Sequence, residues 1–64
     1  MQKEIIKKVL KEKEESLIRE ELFEGFLQRQ RLKGSKNIDI ALGQVQEKIK
    51  FLKEYIEYIK EQIK

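Results

Sequence analysis

The chain has 64 residues, enough for one domain, and contains neither cysteine nor histidine. That excludes a disulfide framework and leaves only carboxylates as metal ligands, so a zinc site is not expected. Fifteen basic and twelve acidic residues give a net charge of +3, a mixed surface and not a polycation, and the 39% hydrophobic content is too regularly spaced for a disordered tail.

A domain of this size buries only about 60% of the surface its unfolded form exposes and is marginal by itself. With disulfides and zinc set aside, association is the remaining route to stability. No apolar run approaches the roughly 18 residues that span a bilayer. The opening Met1–Gln2–Lys3–Glu4–Ile5–Ile6 lacks the apolar core and small-residue cleavage site of a signal peptide. The expected location is the cytoplasm.

The first helical region begins with an apolar patch, Ile5, Ile6, Val9 and Leu10, followed by the wholly polar Lys11–Glu12–Lys13–Glu14–Glu15–Ser16. Leu17, Ile18, Leu22, Phe23, Phe26 and Leu27 then resume the pattern, rotated to a different side if the helix is straight. Every residue of the polar stretch except Ser16 is a good helix former, so propensity favours one helix over about residues 2–33. Glu4 with Lys8 and Glu15 with Arg19 have the favourable i, i+4 order. The alternative is a break at Ser16 acting as an N-cap, which gives three helices.

Proline is absent, and the one stretch with turn chemistry is Lys33–Gly34–Ser35–Lys36–Asn37. Gly34 suits the left-handed position that ends a helix. Ser35 or Asn37 is then expected to cap the next helix, with Asp39 in its first turn. A turn of about residues 34–37 forces the two helices close to antiparallel.

The second helix, about residues 38–63, carries the clearest pattern in the chain. Ile38, Leu42, Val45, Ile49, Leu52, Ile56, Ile59 and Ile63 recur in alternating steps of four and three. This is a heptad seam, the spacing of a helix packed knobs-into-holes. Beside it run Phe51, Tyr55 and Tyr58, which either widen the buried face of the hairpin or form a second contact face for another chain. Glu47, Glu54, Glu57 and Glu61, with Lys50 and Lys64, make a solvated opposite face. In a hairpin closing at Gly34–Ser35, residues whose numbers sum to about 69 face one another, which sets Leu27 on Leu42 and Leu22 near Glu47 to Ile49.

Catalysis is not expected. Without histidine or cysteine, the hydroxyls of Ser16 and Ser35 lack the usual activating base, and Glu14–Glu15 and Glu20–Glu21 fall on exposed helix surface among cations. Gly34–Ser35–Lys36 lacks the upstream glycine and strand of a phosphate-binding loop. No cofactor, metal, small-molecule substrate or membrane partner is expected.

One charge asymmetry stands out. No acid lies between Glu24 and Asp39, while Arg29, Arg31, Lys33 and Lys36 cluster at the turn. Such a tip can contact nucleic-acid phosphates; equally, cations at a helix C-terminus complement its dipole. The preceding section, Glu14 to Glu24, is acidic, and zones of opposite sign invite antiparallel or head-to-tail pairing between chains.

By length and by its helix–turn–helix pattern the chain resembles small dimeric hairpin proteins such as the plasmid repressor-of-primer family. Lys50–Lys64 resembles the C-terminal dimerisation helix of MerR-type regulators. Both likenesses are architectural, with no motif matched residue by residue.

The expected fold is therefore all-α, an antiparallel helical hairpin assembling into a dimeric four-helix bundle. The expected function is a non-enzymatic protein–protein interaction or regulatory module, acting as a homodimer or by docking on a larger helical partner. Ile38, Leu42, Val45, Ile49, Leu52, Ile56, Ile59, Ile63, Phe51, Tyr55 and Tyr58 are the expected partner-binding residues. The alternative is nucleic-acid binding through Arg29, Arg31, Lys33 and Lys36.

Overall fold

A computed structural model of the chain describes residues 2–64. Two α-helices, α1 (Gln2–Leu32) and α2 (Ile38–Gln62), pack side by side into a rod measuring 50 × 14 × 12 Å. Among the described residues there are no strands.

Helix α1 runs unbroken through Lys11–Ser16. No residue there opposes helical geometry, and half-buried Ser16 sits on the side facing α2, so nothing favours a break at this point. The turn then closes α1 with a Schellman motif. Gly34 takes the left-handed conformation at φ +85°, the Ser35 amide donates to the Gln30 carbonyl at 3.2 Å, and the Gly34 amide donates to the Arg31 carbonyl at 3.0 Å. Ser35 Oγ adds a 3.4 Å contact to Gln30 Oε1.

The expectation of a side-chain cap on α2 needs correction. Asn37 occupies the N-cap position but has φ 65° and makes no capping hydrogen bond, and Ser35 is engaged with Gln30 instead. In the five-residue link over residues 33–37, Asn37 is a second left-handed residue after Gly34, and asparagine is a type that accepts that conformation. That backbone does not have the extended geometry from which an N-cap side chain reaches the N2 or N3 amide.

Cross-helix contacts define the register. Glu20 meets Lys48, Lys13 meets Tyr55 and Arg31 meets Asp39, and each pair of numbers adds to within one of the expected value. Leu27, Leu42, Val45 and Ile49 form a buried core near the turn, with Leu17, Ile38 and Ala41 packed against it. Further along, Ile56 and Ile59 are buried, and Ile59 lines a shallow groove with Ile6 and Val9.

The seam of α2 is thus covered by α1, but α1 answers it with a mixed row. The α1 side chains that are buried or half-buried include Ile6, Val9, Leu10, Leu17 and Leu27, interleaved with Lys13, Ser16, Glu20 and Glu24. Leu22 does not join this row: it faces solvent and does not pack near Glu47 to Ile49. It is seated instead with Ile18 and Phe26, at spacings of four, on the side of α1 away from α2.

Candidate interaction faces

The expected partner-binding residues divide into two groups. Leu42, Val45, Ile49, Ile56 and Ile59 are buried, and Ile38, Leu52 and Ile63 are half-buried, all within the single chain. Their apolar surface is largely spent on α1. Phe51, Tyr55 and Tyr58 remain open, with 74%, 42% and 58% of their surface exposed. This stripe borders two shallow grooves. One runs from Lys48 and Phe51 to Tyr55; the other is walled by Tyr55 and Tyr58 of α2 and by Ile5 and Val9 of α1. Lys13 Nζ lies 5.8 Å from the centroid of the Tyr55 ring, within cation–π range, which holds the ring at the helix–helix boundary.

A second open face lies on α1. Ile18, Leu22, Phe26 and Leu32 are 64%, 77%, 53% and 89% exposed. Phe23 stands at its edge, stacked on Phe26 with centroids 6.3 Å apart and planes 14° apart. Gly25 lies within this face, in a groove lined by Glu21, Leu22, Phe26 and Arg29. None of Ile18, Leu22, Phe23, Phe26 and Leu32 was among the expected partner-binding residues. The signal for three of them was the i, i+4, i+8 spacing of Ile18, Leu22 and Phe26, offset from the Leu17–Leu27 row.

The area of the chain has the same meaning. Its accessible surface is 5574 Å², whereas a compact protein of its 7.8 kDa mass exposes about 4,400 Å². The excess of about 1,200 Å² reflects the rod shape, and among the described residues ten large apolar side chains contribute to the exposed surface.

The charged residues are arranged loosely. Glu20 and Lys48 pair at 3.0 Å across the helices, Arg31 Nε meets Asp39 Oδ1 at 3.1 Å across the turn, and Arg19 sits 3.7 Å from Glu15 along α1. Arg29, Arg31, Lys33 and Lys36 are all exposed in or near the turn, with Arg29 lining the groove at Gly25 and Arg31 paired with Asp39. Among the described residues no group of three or more acidic side chains converges as a metal site, and no helix is long and apolar enough to cross a membrane. The chain matches no family model, no curated protein and no solved structure.

Proposed function

We propose that this chain is a non-enzymatic helical interaction module that lays exposed apolar helix faces against other helices, beginning with a second copy of itself. The observation that carries the reading is the amount of apolar side chain left open after the α2 seam is covered: Ile18, Leu22, Phe26 and Leu32 on one helix, Phe51, Tyr55 and Tyr58 on the other. Two copies together make a four-helix assembly and remove part of the surface excess. The stripe on α2 then serves a larger helical partner. A cytoplasmic setting belongs to the same reading, and a chain without cysteine is compatible with it.

Sedimentation equilibrium tests it. The expected result is a mass twice the 7.8 kDa of one chain at micromolar concentration. A folded monomer at that concentration overturns self-association.

The basic tip supports a second reading, nucleic-acid binding. Arg29, Arg31, Lys33 and Lys36 are exposed beside a helix C-terminus, and their contact with phosphates is expected to be strongly salt-dependent.

A further inference from the structure

Nothing inside the hairpin accounts for Gly25. It lies in the interior of α1, and a Cβ placed on it meets nothing within 4 Å beyond its chain neighbours and its own stretch of helix backbone. Glycine weakens a helix interior relative to alanine, so the position carries a cost with no return within the chain.

The sequence around Gly25 is complementary to its own reverse. Glu21 stands four residues before it and Arg29 four residues after; Ile18 stands seven before and Leu32 seven after. Spacings of four and seven keep all of these on one helix face. The groove at Gly25 has Glu21 at one end and Arg29 at the other, with Leu22 and Phe26 as its apolar walls.

We propose that this face is the contact surface for a second copy of the chain, running antiparallel, with the two-fold axis passing at Gly25. The inference rests on the reading of the chain as a self-associating module and specifies its geometry. Under this symmetry Glu21 of each copy meets Arg29 of the other, and Ile18 of each meets Leu32 of the other. The two glycines face one another at the axis, where the missing side chains let the backbones approach, and Leu22 and Phe26 pack around them. Further out, Glu14 of one copy approaches the basic turn of the other. A parallel pairing in register sets Glu21 on Glu21 and Arg29 on Arg29, which is repulsive twice over.

The test is a charge exchange on the full chain, read by sedimentation equilibrium. Glu21→Arg and Arg29→Glu each turn two attractive contacts into repulsive ones, and each is expected to weaken the dimer roughly tenfold. The variant carrying both restores the complementary pairs and is expected to return close to the parent dissociation constant. Both positions are exposed, and circular dichroism checks that each variant keeps its helix content. Gly25→Cys gives a second readout. The chain has no other cysteine, so air oxidation is expected to link two copies through this residue much faster than in a Gln46→Cys control on α2. If the parent is a dimer but is indifferent to the charge exchanges, or the two cysteine variants cross-link at equal rates, the Gly25 axis is overturned and self-association stands. A monomeric parent overturns both.

Discussion

Lys48 Nζ lies 3.0 Å from Glu20 Oε1, and the two partners are unequally covered: the Glu20 side chain is only 21% exposed, the Lys48 side chain 66%. A carboxylate therefore occupies a position of α1 that the register sets against the apolar seam of α2, close to Ile49. The lysine reaches over from the surface to neutralise it. Ion pairs of this kind seldom stabilise more than an apolar pair of similar volume.

Glu20→Leu follows from this geometry. The substitution places apolar surface against Ile49 and releases Lys48 to water, where it is already mostly exposed. The expected effect is a gain of about 1 kcal/mol. For a domain of this size that raises the melting temperature by roughly 4–8 °C, measurable by thermal circular dichroism. Lys48→Ala, in contrast, is expected to cost under about 1 kcal/mol because the ammonium is solvent-screened. A large loss in either variant shows that the pair holds the register.

Gly34 supplies a cleaner conformational test. Its φ of +85° lies in the left-handed region, yet a Cβ there meets nothing within 4 Å. Gly34→Ala therefore costs only the backbone penalty, about 1 kcal/mol, with no steric clash added. Urea unfolding should show the midpoint falling at an unchanged slope, since the surface exposed on unfolding is the same.

The seam of α2 was fully legible in the sequence because its eight residues alternate by four and three without interruption. Both helix ends fall within one residue of expectation at each terminus of the hairpin. The inward face of α1 was not legible. Leu17–Ile18, Leu22–Phe23 and Phe26–Leu27 come as adjacent apolar pairs, and neighbours on a helix point about 100° apart. Periodicity could not say which member of each pair turns inward. The structure selects Leu17 and Leu27, accepts Glu20 and Glu24 between them, and leaves Ile18, Leu22 and Phe26 outside. The outward set had a spacing of its own, Ile18, Leu22 and Phe26 at steps of four, but periodicity alone did not say which of the two rows α2 would cover.

Ile49 distinguishes the two kinds of face. It is 7% exposed and belongs to the core with Leu27, Leu42 and Val45. Ile49→Ala is expected to cost roughly 2–5 kcal/mol, and Ile49→Asp more, because a charge is then buried without a partner. Either change should lower the helical signal at 222 nm, and the oligomer mass should fall with it. Phe51→Ser, on the open stripe, should leave the helical signal intact. Equal loss of helicity from Phe51→Ser shows that the stripe is part of the core of the folded chain.

The tip of the hairpin carries the last test, through Arg31 and Asp39. Their 3.1 Å contact ties up one of the four cations at the turn, although both side chains are largely solvated. Four cations set an upper bound on phosphate contact: for duplex DNA the slope of log affinity against log salt cannot exceed about −3.6 if the tip alone binds. Asp39→Asn removes the competing carboxylate and frees Arg31. On the nucleic-acid reading this strengthens binding at low salt and steepens the salt slope by up to about 0.9, the increment for one further phosphate contact. The same change also removes a favourable acid from the first turn of α2, a loss of about 0.3–1 kcal/mol, so binding should be compared well below the melting temperature. Fluorescence anisotropy with a labelled duplex and a labelled RNA hairpin measures both slopes. Unchanged affinity in Asp39→Asn, or a slope steeper than four contacts allow, removes the tip as the binding site.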